Sequence, residues 1–148
     1  MAKQKIYFLV NPISGGKNKD NFHSLVNANI NSDLYDYDIE EWGDNDSVEQ
    51  MVGKALAKNF DIIVAAGGDG TINQVASQLA GTEKLMGIIP MGSGNGFARH
   101  NGIPMNTEKA LQLLNHPTIK KVDTLLVNNQ RYVNVAGIGF DAHIGYLF

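Results

Sequence analysis

Hydrophobic positions along the chain switch between two periods, and the switching predicts its architecture. Ile6-Tyr7-Phe8-Leu9-Val10 is an unbroken apolar run of strand length, and Phe22, Leu25, Val26 and Ile30 follow at helical spacing. Leu34 to Glu41 alternates as a second strand. Ser47 with Gln50 forms a capping box ahead of Val48, Met51, Val52, Ala55 and Leu56, which fall on one helical face. Asp61 to Ala66 is a buried-strand run, and Thr71 with Gln74 predicts a second capping box before Ile72, Val75, Ala76, Leu79 and Ala80. Met86 to Ile89 makes a fourth short strand. A glycine-rich loop, a short helical piece over Phe97 to His100 and a helix from Thr107 to Asn115, ended by Pro117, complete the alternation.

Strands and helices that alternate in this way call for an α/β fold. The expected form is a doubly wound, mostly parallel, Rossmann-like sheet with helices on both faces, because parallel strands need crossover connections. Beyond Val122 the pattern changes. Val122 to Val127 and Arg131 to Ala136 flank Asn128-Asn129, a pair that tolerates positive φ, so an antiparallel hairpin is expected near the C-terminus.

Composition narrows the class. At 148 residues, 43% hydrophobic and a net charge of −3, the chain reads as one ordinary globular domain without the basic face of a nucleic-acid binder. Cysteine is absent, which excludes disulfides, thiolate metal sites and a cysteine nucleophile, and a cytoplasmic location is the expectation. The apolar runs fall well below the roughly 20 residues of a membrane span, so contact with a membrane would be peripheral, at its inner face. The four histidines His23, His100, His116 and His143 share no compact ligand spacing.

Three glycine-rich segments carry the candidate chemistry. Asn11-Pro12-Ile13-Ser14-Gly15-Gly16, Gly67-Gly68-Asp69-Gly70-Thr71 and Gly92-Ser93-Gly94-Asn95-Gly96 each follow a predicted strand and therefore share the carboxyl edge of the sheet. That edge is where open parallel sheets bind ligands. One such loop could serve only as a tight turn. Three together bring unhindered N–H groups and helix N-termini to one place, and the implied ligand is a phosphate.

Two familiar phosphate motifs fail. A Walker A loop built on Gly16-Lys17 would have Asn11 in place of its first glycine and Asn18 in place of its hydroxyl residue. A dinucleotide fingerprint starting at Gly92 would put Phe97 at its third glycine. Asp69 is the leading catalytic candidate. A carboxylate among phosphate-binding glycines holds Mg²⁺, directly or through water, or accepts the proton of an attacking hydroxyl; the structural alternative is a turn aspartate bonded to its own backbone.

The segment Gly67 to Thr71 resembles the signature shared by diacylglycerol, sphingosine and ceramide kinases and, more distantly, NAD kinases and phosphofructokinases. Asn11 to Gly16 and Gly92 to Ala98 resemble the first and third nucleotide loops of the lipid-kinase branch. Asn134 to Ala142 resembles the segment that leads into the family's next domain. The four motifs stand in the family's order over essentially the whole chain. This resemblance implies a kinase that transfers the γ-phosphoryl group of ATP, with Mg²⁺, to a lipid hydroxyl such as that of diacylglycerol. It implies nucleotide contacts from Asn11, Ser14, Gly15, Gly16, Gly67, Gly68, Gly70 and Thr71, with Gly92, Ser93, Gly94 and Asn95 completing the cleft. Asp123 and Asp141 fall on family aspartates near the cleft and the substrate side.

Family members carry a further β-rich domain with much of the lipid site. Residues 1–148 then correspond to the nucleotide-binding domain, and the apolar ending reads as a chain cut short. Alternatives that keep the fold are an NAD kinase-like or other small-molecule kinase and a non-catalytic nucleotide-binding module; homo-oligomerisation stays open. The chain also departs from the family pattern. Gly96 stands where many bacterial members have aspartate, and Glu41-Trp42-Gly43-Asp44 replaces a loop that often carries threonine, so the base contact is not placed. Trp42 is read as a packing or surface residue. Arg99 is equally compatible with neutralising phosphate and with an exposed helical position.

Overall fold

The computed structural model describes residues 3–14, 21–43 and 46–133. Along the chain run β1 (Gln4–Val10), α1 (Phe22–Asn29), β2 (Tyr35–Glu41), α2 (Val48–Ala57), β3 (Ile62–Gly67), α3 (Asp69–Leu79) and β4 (Leu85–Pro90). They are followed by α4 (Gly96–His100), α5 (Thr107–Leu114), β5 (Leu125–Val127) and β6 (Gln130–Tyr132). The first four strands form one parallel sheet in the order β2-β1-β3-β4. This is the expected doubly wound architecture, and its strand order reverses between β1 and β3.

Alternation along the central strands explains why both faces are covered. Ile6, Phe8 and Val10 of β1 and Ile62, Val64 and Ala66 of β3 meet Phe22 and Val26 of α1 and Leu111 and Leu114 of α5. Tyr7 and Leu9, with Ile63 and Ala65, point the other way, onto Met51 and Val52 of α2 and Ile72 and Val75 of α3. A strand with both faces buried reads as a continuous apolar run, and β1 and β3 do so in the sequence. Gly87 in β4 is needed for packing: a Cβ there would lie 2.8 Å from Val64 Cγ2 and 3.1 Å from Leu114 Cδ2.

The Ser47–Gln50 capping box is present in both directions. The second predicted box is not. α3 starts at Asp69 with Gly68 as its N-cap, and Thr71 sits inside the first turn, 4% exposed. Extended Gly68 leads directly into the helix, so the boundary falls before the hydroxyl that the pattern nominated. The hairpin forms around Asn128 and Asn129, at φ 48° and 64°, with three-residue strands, shorter than expected; residues 134–136 of the predicted second strand lie outside the described residues. It is tied to α3 by Asn73, whose Oδ1 accepts from Val133 N at 3.0 Å, and by Ser77, whose hydroxyl donates to the Arg131 carbonyl at 2.9 Å.

One polar group inside this core has a measurable consequence. The Tyr7 hydroxyl donates to Glu40 Oε2 at 2.6 Å, and Lys54 Nζ donates to Glu40 Oε1 at 2.6 Å. Burial, and then the neighbouring Glu40 carboxylate, push the Tyr7 phenol well above its ordinary range, while Lys54 and Tyr7 hold the Glu40 carboxyl below its own. The unfolded chain releases the phenolic proton near pH 10 and the folded chain keeps it, so this group costs stability as pH rises above about 10. The lowered carboxyl acts at the opposite end, and its contribution is lost as pH falls below its unfolded value. Tyr7→Phe is expected to destabilise by about 1 kcal/mol at pH 7 and to flatten the alkaline limb relative to wild type. Urea denaturation at neutral and alkaline pH checks both.

Candidate nucleotide cleft

The loops leaving β1, β3 and β4 meet at the carboxyl edge, around the point where strand order reverses. They line a cleft of about 430 Å³ with Asn11 and Ser14 from the first loop, Gly68 to Thr71 from the second and Gly92 to Gly94 from the third, together with Trp42 and Gln74. A hollow of about 370 Å³ at the opposite, amino edge is lined by Lys5, Asp36, Tyr37, Asp38, Lys58 and Phe60. Helix α2 ends beside it. Carbonyl-rich helix ends repel phosphate, whereas the start of α3 at the carboxyl edge attracts it.

Contacts between the glycine loops explain why glycine is required at two positions. Gly68 and Gly92 touch backbone to backbone, and a Cβ on Gly92 would lie 2.6 Å from Gly68 Cα. The Met91 N–H donates to the Gly67 carbonyl at 2.8 Å and extends the β3–β4 ladder into the loops. A Cβ on Gly67 would lie 2.6 Å from Thr71 Cβ, so glycine lets the first turn of α3 fold back onto β3.

Side chains then join the loops. Asn11 donates through Nδ2 to Thr71 Oγ1 at 3.0 Å and accepts through Oδ1 from Ile13 N at 3.0 Å, which links the first loop to the second. Asn95, at φ 53° and 6% exposed, pairs with both polar atoms of Gly92: Oδ1 accepts from its N–H at 2.9 Å and Nδ2 donates to its carbonyl at 2.7 Å. Its amide closes the third loop as a peptide group would. The Asp69 carboxylate accepts from Gly96 N at 3.0 Å and Phe97 N at 3.1 Å, and so bridges the second loop to the start of α4. These bonds reach 27 and 28 residues along the chain, unlike those of a turn aspartate. Arg99 is exposed and its Nε donates to the Gly94 carbonyl at 3.0 Å, bracing the third loop.

A family model for the diacylglycerol kinase catalytic domain matches residues 5–127. The chain belongs to that family. This diacylglycerol kinase-type domain shares 30% identity over 148 residues with an uncharacterized protein of Synechocystis, an alignment covering 93% of this chain and 34% of that protein. It shares 40% identity over 105 residues with "Probable lipid kinase YegS-like" of Pseudomonas aeruginosa, covering 70% of this chain and 34% of that one. With the diacylglycerol kinase of Bacillus subtilis it shares 42% over 89 residues, 58% of this chain and 29% of that one. A crystal structure of a diacylglycerol kinase from Bacillus anthracis superposes with a TM-score of 0.73 at 28% identity, covering 90% of this chain and 50% of that one. The matched stretches of the chain thus cover about a third of the length of these curated relatives.

Of the residues nominated from sequence, the fold brings Asn11, Ser14, Gly68, Asp69, Gly70, Thr71, Gly92, Ser93 and Gly94 to the cleft lining, with Gly67 and Asn95 packed directly behind. Gly15, Gly16 and Asp141 lie outside the described residues. Asp123 is exposed in the segment before β5 and is not among the lining residues. Two lining residues escaped the sequence reading, Trp42 and Gln74. Trp42 sits immediately beyond β2, and its position at the carboxyl end of a parallel strand was the available signal.

Proposed function

We propose that this chain is the ATP-binding domain of a lipid kinase that transfers the γ-phosphoryl group of ATP to the hydroxyl of a lipid such as diacylglycerol. The observation that carries this reading is the convergence of three backbone-lined loops on Asp69 at the sheet's switch point. Gly68, Gly70, Gly92 and Gly94 offer close approach to phosphate oxygens, and the start of α3 favours their charge. Membership of the diacylglycerol kinase family supports the lipid acceptor.

Among the described residues no cluster of three or more acidic, histidine or cysteine side chains could hold a metal by itself. Mg²⁺ carried on a triphosphate needs only one or two protein carboxylates, and Asp69 in the cleft fits that requirement. A carboxylate has about four lone-pair sites, and those given to Gly96 and Phe97 fix its orientation. When bound, the ion would neutralise charge on the transferred group. The reaction forms a bond from the lipid hydroxyl oxygen to the γ-phosphorus and breaks the bond from that phosphorus to the β–γ bridging oxygen. ADP departs and the hydroxyl proton passes to a base.

The relatives are about two to three times as long, which supports placing the lipid site in a further domain. Ile119, Val122, Leu125 and Leu126 are exposed apolar residues that such a domain would help to cover. Among the described residues no helix is long and apolar enough to cross a membrane. The test is incubation of the full protein with γ-labelled ATP, Mg²⁺ and diacylglycerol in mixed micelles. Label in phosphatidic acid is expected. Label on NAD instead would move the acceptor, and ATP binding without transfer to any acceptor would leave a nucleotide-binding module.

A further inference from the structure

We propose that Trp42 is the platform on which a purine base stacks when the triphosphate lies on the glycine loops, an inference that rests on the nucleotide reading above. Trp42 is the chain's single tryptophan. Its N–H donates to the Val10 carbonyl at 2.8 Å, which continues the β1–β2 ladder and fixes the residue beside the first loop. The indole Nε1–H donates to the Asp46 carbonyl at 2.9 Å, so the ring's one polar atom is engaged. The side chain is partly buried, packs against the apolar cluster beneath α2 and α3, and lines the cleft.

Every other residue lining that cleft is a glycine or carries a polar side chain. Phosphates match the glycine backbone and the start of α3, but they offer nothing to an indole. A flat aromatic part of the same ligand does. Sheet geometry supplies the distance. Adjacent strands lie about 4.8 Å apart, so the end of β2 stands roughly 10 Å from that of β3 and roughly 14 Å from that of β4. That separation is of the order of the distance from base to terminal phosphate in a nucleoside triphosphate. A purine presents a larger face to the ring than a pyrimidine, which favours ATP and GTP over CTP and UTP.

Emission from the single tryptophan reports directly on this contact. Titration of the wild-type chain with Mg-ATP is expected to quench it, whereas inorganic tripolyphosphate should bind with little quenching. By calorimetry, Trp42→Ala should weaken ATP about tenfold while leaving tripolyphosphate affinity unchanged, and Trp42→Phe should keep most of the ATP affinity. Equal losses for ATP and tripolyphosphate, or unchanged ATP affinity in Trp42→Ala, would overturn the platform and leave the nucleotide reading standing. Failure of the folded wild-type chain to bind ATP would overturn both. The quenching experiment needs no variant, so ATP binding that leaves the emission unchanged sinks the platform even where Trp42→Ala fails to fold.

Discussion

Asp69→Asn is expected to cut phosphoryl transfer by roughly 10²–10⁴-fold in the full protein and to loosen the start of α4 at the same time. Both effects follow from one carboxylate. As the acidic group among the cleft glycines, Asp69 is the proposed Mg²⁺ ligand or proton acceptor, and the neutral amide is a poor substitute in either role. As the acceptor of the Gly96 and Phe97 N–H groups, it also joins the second and third loops. An amide has one oxygen, so one of those N–H groups would face an NH₂ donor. Turnover of labelled ATP reads the first effect. Hydrogen exchange at Gly96 and Phe97 reads the second and should be faster in the variant. Turnover close to wild type would remove Asp69 from catalysis, and unchanged exchange would mean that the bridge contributes little to loop order.

Gly92→Ala is expected to be the most damaging single-methyl change in the cleft. The added Cβ would stand 2.6 Å from Gly68 Cα and 2.9 Å from Asn95 Oδ1. Backbone cannot rotate away as a side chain end can, so the β3 and β4 loops must separate, at a cost of about 1–3 kcal/mol. The separation opens the phosphate cradle, and ATP affinity should fall by more than the roughly tenfold expected from loss of a single contact. Gly70→Ala is the control. Nothing lies within 4 Å of a Cβ there, and the residue is in the first turn of α3, where alanine is the better helix former. It should fold at least as well as wild type, so any loss of ATP affinity would report phosphate approach alone. Paired urea denaturation and calorimetric titration of the two variants make the comparison.

Much of this architecture was legible because burial writes itself into the sequence. β1 and β3 lie in the middle of the sheet with helices on both sides, and their unbroken apolar runs announced it. The turn at Asn128-Asn129 was legible because few residues other than glycine and asparagine adopt positive φ at low cost. Thr71 shows where local reading stops. Its spacing to Gln74 satisfies a capping rule, yet its hydroxyl is taken by Asn11, 60 residues earlier, and the helix begins before it. The family resemblance places Asn95 among the residues that complete the cleft, and only the structure shows its amide pairing with both polar atoms of Gly92.

The sequence by itself determined the alternation of strands and helices, the three loops at one sheet edge and the family to which they belong, since each is a matter of local periodicity, backbone permissiveness or ordered motif. Tertiary structure decided which loops touch and what each polar side chain does. Strand order places β1 between β2 and β3, and that order arises from packing between segments far apart in the chain. Only through it does Trp42, at the end of an outer strand, come to share a cleft with Asp69 and Gly92. A hydrogen bond between Asp69 and Gly96 leaves no periodic trace, because it depends on a three-dimensional approach that spacing along the chain does not encode.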